Sequence, residues 1–515
     1  MSRDLARYAR SGAWSLVAYA VQIVGAIVVS VVVVRSLNTT EIGVLGLSRQ
    51  FTAGVVAISG LALERTYLRF GPELVQRAGG GPAVALLRQV VALRVLAWAP
   101  FPVIAWFARD LLGETFGPGV GTATAIGVLT GVAYSLNTQL RAAATARFAT
   151  AAVARSSIVA GLTTLAATLF VIERGGGVEG VLVAAGIGLL AGCVPLVRPA
   201  FDRERVGELE AGTSTDATAS LSVRDERFLA YAWPFAGIAV LNHAVHSQTE
   251  VFFLGYWHGP ELAGFFHHGF TFAQRLVDFL PLALWEVSMA GFSRLVTRAP
   301  EELARAVHGY LILLYLVMMP VAMLGVALTP VATLLLYGEK MMPSVPVAQA
   351  YFAVAAVAAV GAPFGMVLYA RERTRVVLRV YLIVALVNVG LDVALIPALG
   401  LAGGILGLSV AKLVSVALMA VLVRRELGSI PLPIAFLVRV TLASAVVLVA
   451  WPLSLAVPTW TGAVLSGAAA VLLLWGAARL LRVVGGDEAD LVAGTGLPAA
   501  DLLLRALGRR PGVVS

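Results

Sequence analysis

Residues 264–289, GFFHHGFTFAQRLVDFLPLALWEVSM, decide how the chain is read. The run is apolar and long enough to cross a bilayer, for which about 20 residues suffice. Yet Arg275 and Asp278 lie well inside it. Set three apart, the two side chains share one face of a helix and can pair. A charge at that depth is costly and faces a cavity or a partner. Two readings follow. One is a fixed salt bridge that locks two helices together. The other is a cationic anchor for an anionic substrate in a central cavity, and the rest of the chain favours it.

The whole chain shares the character of that stretch. Of its 515 residues 59% are hydrophobic and 13% are charged, with a mean hydropathy of +0.88. A soluble domain carries about a quarter charged residues, so a polytopic membrane protein is expected. The single cysteine, Cys193, excludes an internal disulfide and argues against a cysteine-built metal site. Net charge is +9. Most of the basic residues sit beside apolar spans, which points to cytoplasmic anchoring and away from nucleic acid. The basic start, with Arg3, Arg7 and Arg10, runs into a span long enough to stay in the bilayer, so no cleaved signal is expected.

Working outward, fourteen spans are expected, all helical. Six precede a hydrophilic break: Ala13–Val34, Ile42–Leu63, Val84–Trp106, Val120–Leu140, Ala151–Ile172 and Val178–Val197. Six follow it: Phe228–Tyr256, Leu262–Phe279 running on towards Met289, Leu303–Leu328, Val347–Tyr369, Val376–Ile396 and Leu401–Val423. Phe436–Leu455 and Gly462–Leu481 complete the set. The division expected is an N-terminal lobe over 1–198, a cytoplasmic linker over 199–227 and a C-terminal lobe over 228–428. The last two spans then occupy 429–485, ahead of a cytoplasmic tail over 486–515. Odd-numbered connections carry few basic residues, while even-numbered ones are rich in arginine, as in Arg65, Arg69 and Arg77 or Arg371, Arg373 and Arg375. That alternation puts both termini and the even loops in the cytoplasm.

The two lobes resemble each other. EIGVLGLSRQF from Glu41 aligns with ELAGFFHHGFTF from Glu261, and EGVLVAAGIGLL from Glu179 with GGILGLSVAKLV from Gly403. An even number of spans per repeat gives both repeats one orientation, related by a pseudo-two-fold along the membrane normal. Paired bundles of this kind enclose a cavity in which alternating access operates, so a transporter is the expected class.

Several ionisable groups fall inside spans. Arg49 lies two turns into the second, and it either lines the cavity opposite Arg275 or snorkels to the interface. Arg88 and Arg94 are in the third and Lys412 in the twelfth. Arginine offers planar, bidentate donors suited to phosphate oxygens. A diphosphate site of Arg275, Arg49, Asp278, Arg94 and Lys412 is therefore expected. In the seventh span His243, His246 and Glu250 stand at i, i+3 and i+7 on one helix face. They read as polar cavity lining, as an ion- or proton-coupling site, or least of all as a metal site. Asp392, near a span end, reads as a capping or interfacial residue. The aromatics of Phe265–Phe272 read as helix packing.

Enzyme signatures are missing from the sequence: GxSxG, GxxxxGK[ST] and HExxH do not occur. A membrane glycosyltransferase needs acidic residues in a sizeable outer loop, and Glu41, Asp110, Glu114 and Glu261 are scattered over short ones.

Taken in order, LNTTEIGVLGL, LERTYLRFGPEL, WPFAG, ELAGFF, LTPVATLLLYGEK and VNVGLDVALIPALGLAGGILG make a pattern along nearly the whole chain. It resembles the polysaccharide-exporter branch of the multidrug/oligosaccharidyl-lipid/polysaccharide flippase superfamily. FAQRLVDFLP is also similar to the eighth span of the lipid II flippases, which place an Arg and an acidic residue three apart ahead of a Pro, although the Pro here comes one residue later. That resemblance implies substrate binding by Arg275, and by Asp278. Lipid II flippases carry arginines early in the first span, and drug exporters carry an acidic residue there. Ala13–Val34 has neither.

The resemblance implies a flippase moving undecaprenyl-diphosphate-linked oligosaccharide from the inner to the outer leaflet of the bacterial cytoplasmic membrane for polysaccharide synthesis. It implies no cofactor. Membrane lipids and a polysaccharide polymerase with its co-polymerase are the partners implied. Lipid II transport, cation-coupled drug export, a membrane enzyme and a scaffold of glycan assembly are the alternatives.

Overall fold

A computed structural model of the chain describes residues 21–147, 149–202, 221–246, 248–277, 292, 295–296, 302–371, 373–428 and 433–484, apart from the side chains of 76–78, 242 and 244–246. Every regular element among the described residues is a helix. The N-terminal half holds α1 (Val21–Ser36), α2 (Thr39–Gly60), α3 (Leu63–Ala78), α4 (Gly80–Trp98), α5 (Pro100–Phe107) and α6 (Arg109–Phe116). It continues with α7 (Val120–Ala146), α8 (Thr150–Glu173), α9 (Gly177–Phe201), α10 (Glu226–His246), α11 (Glu250–His258) and α12 (Pro260–Val277). Then come α13 (Leu303–Tyr337), α14 (Val345–Ala358), α15 (Ala362–Ala370) and α16 (Thr374–Leu399). The last four are α17 (Leu401–Leu427), α18 (Ile434–Ala445), α19 (Ala450–Ala456) and α20 (Trp460–Leu480).

Ten helical stretches among the described residues are long and apolar enough to cross a membrane, and the chain is a multi-pass membrane protein. They coincide with ten of the expected spans. The other four are helical where they are described, apart from a break in the seventh. The first shows only its second half, since residues 13–20 lie outside the described residues. The fourth, α7, is 27 residues long but rich in Thr, Ser, Asn and Gln. Those polar groups lower its hydropathy and are buried, as at Thr124, Ser135, Asn137 and Gln139. The seventh is split into α10 and α11, with Gln248 in the left-handed conformation at φ 63° between them. The eighth is described to Val277, and its second half lies outside the described residues, as do most of the linker and the tail from 485.

The connection after the second span is not a loop. Leu63, Tyr67, Phe70 and Leu74 recur at helical spacing and are buried, while Arg65 and Arg69 on the other face are exposed. That amphipathic pattern makes α3. Two consecutive left-handed residues, Leu61 and Ala62, both at φ 49°, separate α3 from α2. Neither is a glycine, so the break costs about 1–2 kcal/mol per residue and needs the surrounding packing to hold it.

Packing divides the chain into two compact units, Met1–Gly264 and Phe265–Ser515. This division follows contacts, whereas the expected lobes follow the repeat. In the first unit α7 lies against α2, α3, α4 and α9. A core of Leu63, Tyr67, Phe70, Leu86, Leu87 and Leu196 gathers α3, α4 and α9. Asn38 caps α2: its Oδ1 accepts from the Glu41 N–H at 2.8 Å, and Glu41 Oε2 accepts from the Asn38 N–H at 2.8 Å. Just inside that cap, Gly43 allows the start of α12 to cross at backbone contact. A Cβ on Gly43 would collide with the Pro260 carbonyl, and one on Gly264 would lie 2.7 Å from Gly43 Cα. In the second unit α13 packs on α14 and on α18–α20, and α16 pairs with α17.

Candidate membrane-embedded site

Arg94 is the best-defined charge in the first unit. Only 3% exposed, its Nε donates to Ser135 Oγ at 2.6 Å. Its Nη1 donates to Glu64 Oε2 at 2.8 Å and to Gln139 Oε1 at 3.2 Å. Helices α3, α4 and α7 are thereby tied together through one guanidinium. Gly60 makes room for it, since a Cβ there would lie 3.3 Å from Nη2. Glu64 was not among the expected residues. It stands just past the expected span end, where an acid reads as loop, and only the helical start of α3 turns it to Arg94.

Arg49 lies on α2, half-buried. Its neighbour Phe51 packs edge-on against Phe116 and Phe252, which brings α2 to α6 and α11. His243 of α10 faces α2 as well, with Nε2 3.4 Å from where a Cβ on Gly54 would be. The His246 side chain lies outside the described residues. Glu250 opens α11 and is 1% exposed. Because the helix breaks at Gln248, His243 and Glu250 belong to two helices, and the expected single face of three residues does not form as one helical stripe. Among the described residues no three His, Cys, Asp or Glu side chains gather as a metal site.

In the second unit α12 packs through its aromatics. Phe266 and Phe270 are fully buried. The Phe270 ring meets Tyr351 edge-on at 4.4 Å, and His268 meets Tyr337 at 4.3 Å. The packing expected for Phe265–Phe272 is therefore what the helix shows. Arg275 stands in the last turn of α12, half-buried. Asp278 lies outside the described residues. Lys412 of α17 is buried, with Nζ 5.2 Å from the centroid of the Tyr351 ring, a cation–π contact. Arg275 and Lys412 thus belong to the second unit, and Arg49, Arg94, His243 and Glu250 to the first.

Asp392 differs from its expected interfacial place. It is fully buried inside α16, with Oδ2 accepting from Asn388 Nδ2 at 3.5 Å. Its Oδ1 stands 2.6 Å from where a Cβ on Gly407 of α17 would be. The missed signal was the spacing: Asn388 and Asp392 are four apart, on one face, opposite a glycine. A buried intramembrane carboxylate is a functional candidate by default.

Residues 215–346 match a family model described as polysaccharide biosynthesis protein. Comparison with curated protein sequences gives no match. Among solved structures, the chain is similar to the lipid II flippase MurJ in an inward closed conformation, at 14% identity and a TM-score of 0.66. That likeness covers 91% of this chain and 98% of the other. It is also similar to an outward-facing multidrug resistance transporter of the MATE family, at 15% identity and TM-score 0.59, over 82% and 95% of the two chains. A eukaryotic MATE transporter matches at 15% identity and TM-score 0.52, over 81% and 95%. Similarity of this degree defines the architecture: the chain shares the all-helical fold of these structures. Within that fold, its central segment, which contains His243, Glu250 and Arg275, carries the polysaccharide-biosynthesis pattern.

Proposed function

We propose that the chain is a flippase for a polyprenyl-diphosphate-linked oligosaccharide, carried from the inner to the outer leaflet by alternating access. The observation that carries this reading is Arg275: a half-buried guanidinium on an aromatic-packed helix, inside the segment that matches the polysaccharide family. Arg275 and Arg49 supply planar donors for the diphosphate oxygens. Asp278 orients Arg275 or balances its charge between cycles. Arg94 is held by Glu64, Ser135 and Gln139, and it serves this function as a brace of the first unit. Lys412 contributes field from within the second unit. Glu250, with His243 and His246, and also Asp392, are the groups through which a proton or cation couples to the cycle. An inside-negative potential favours outward movement of the diphosphate by ~2.3 kcal/mol per charge per 100 mV.

Transport, not catalysis, is the proposed activity. Glu41, one of the acids a membrane enzyme would draw on, is committed to the cap of α2. The likeness to a lipid II flippase makes lipid II the second substrate to consider, and the MATE likeness makes drug export the third. The first span of this chain has neither the arginines of the one nor the acid of the other.

The test is flipping of a fluorescent undecaprenyl-diphosphate oligosaccharide in proteoliposomes, with lipid II and a cationic drug in parallel. Glycan flipping by the wild type and its loss in Arg275→Ala are expected. Preference for lipid II or for the drug would replace the substrate, and full activity of Arg275→Ala would remove the anchor.

A further inference from the structure

We propose that the groove between α13, α18 and α20 binds a phospholipid with an anionic headgroup. The inference is independent of the flippase reading. The groove encloses about 220 Å³ and is lined by Leu316 and Pro320 of α13, Val440 and Ala443 of α18, and Val471 and Trp475 of α20. Its wall also holds Ser444, whose buried hydroxyl has no hydrogen-bond partner among the described residues. Around it α20 presents Val471, Leu472, Trp475 and Leu480 outward as exposed apolar surface. On a membrane protein that surface faces the acyl chains, so the groove opens towards lipid.

Charge selects the headgroup. The described residues 433–484 contain three arginines, Arg439, Arg479 and Arg482, and no aspartate or glutamate, while Asp487, Glu488 and Asp490 follow outside the described residues. All three stand where α18 begins and α20 ends, at one end of the groove. Arg439 adjoins the lining residue Val440. Arg479 is stacked on the ring of the lining residue Trp475, its Cζ 4.1 Å from the centroid.

The local fold fixes this rim. After α20 the chain turns through Arg482 in the left-handed conformation at φ 45°. The Val483 N–H then returns to the Ala478 carbonyl at 3.0 Å, a helix-terminating bond of the Schellman kind. Val483 and Val484 are tucked inside as a result. Arg439 Nη1 donates to the Arg482 carbonyl at 3.3 Å, tying the start of α18 to the end of α20. The Tyr315 and Thr441 hydroxyls bond at 2.8 Å and hold α13 to α18. An apolar groove with three arginines near one end suits an acyl chain below a phosphodiester that carries net negative charge. A zwitterionic headgroup adds an ammonium, which this rim repels.

The experiment is native mass spectrometry of the full-length protein released from micelles doped with phosphatidylglycerol, phosphatidylethanolamine of matched chains, or undecaprenyl phosphate. Retention of phosphatidylglycerol at least about tenfold above phosphatidylethanolamine is expected, since each basic residue near an anionic surface contributes roughly fivefold. The triple variant Arg439→Gln, Arg479→Gln, Arg482→Gln should lose that preference and keep the weak phosphatidylethanolamine adduct. Val471→Trp, which fills the groove from its exposed side, should lower retention of both lipids. If the triple variant fails to fold, Arg479→Gln alone should reduce the preference about fivefold. Equal retention of the two phospholipids by the wild type would overturn the proposal. So would an undiminished preference in the folded variants, or undecaprenyl phosphate displacing phosphatidylglycerol at equal concentration.

Discussion

Arg94 and Arg275 each place a guanidinium at membrane depth, and the protein treats them differently. Arg94 is enclosed, gripped by a carboxylate, a hydroxyl and an amide oxygen from two other helices. Arg275 stands on α12, near the limit of the described residues, and keeps part of its surface open. A guanidinium with that set of acceptors is neutralised in place, and its work is to hold helices. One that retains open surface at membrane depth can meet an incoming anion. The two arginines look alike in the sequence, and burial separates them.

The comparison makes its strongest demand on Arg94. Arg94→Ala is expected to destabilise the protein by about 3 kcal/mol, the low end for breaking a buried pair, because Glu64 keeps 30% of its side chain exposed. Thermal melting in detergent would read this as a lower midpoint and a poorer yield. Removing the carboxylate as well, in Arg94→Ala with Glu64→Gln, should recover part of the loss, since no orphan charge then remains. If Arg94→Ala melts like the wild type, the brace is wrong and Arg94 returns to the substrate site.

Arg275→Ala should do the reverse. Loss of two charge-assisted hydrogen bonds to a diphosphate, at ~1.5 kcal/mol each, lowers flipping about a hundredfold while the melting midpoint stays near that of the wild type. A matching fall in stability would show Arg275 to be a second brace. Arg275→Lys sharpens the same point at smaller scale. Lysine keeps the charge and gives up the planar fork, so flipping should fall only about tenfold. Equal rates for Arg and Lys would mean that the site needs charge alone.

How much of this was legible in the sequence follows from what each feature depends on. The spans were legible because hydropathy over 20 residues is a local property, and ten of them emerge as membrane-length helices. Arg275 and Arg94 were both visible as charges in apolar runs. Their difference was not, because it depends on Glu64, Ser135 and Gln139, which lie 30, 41 and 45 positions from Arg94. The break at Gln248 carried a local mark that went unread. Ser247 and Glu250 have the S-x-x-E spacing of a helix start, but the sequence through NHAVHSQTEVFF also continues a helical pattern, which the structure interrupts. Asp392 was read as interfacial because its distance from a span end is local, while its burial depends on Gly407 in the next helix.

The smallest expected effect probes how firmly Arg94 is held. A Cβ on Gly60 would lie 3.3 Å from Arg94 Nη2, close enough that the guanidinium must shift by a few tenths of an ångström. An arginine with one loose contact would yield at no cost, and the added methyl would even favour the helix, by part of the about 1 kcal/mol that separates alanine from glycine in a helix interior. Arg94 is fixed at Nε and Nη1 by three acceptors, so a shift lengthens bonds to Ser135, Glu64 and Gln139 together. Gly60→Ala should therefore destabilise the protein by roughly 0.5 kcal/mol, the small remainder of overpacking strain after the helix gain. In the Arg94→Ala background, where the methyl meets nothing, the same substitution should become stabilising. A double-mutant cycle on melting midpoints reads that change of sign. Gly60→Ala with the same effect in both backgrounds would mean that Arg94 moves freely, and the contrast with Arg275 would lose its structural basis.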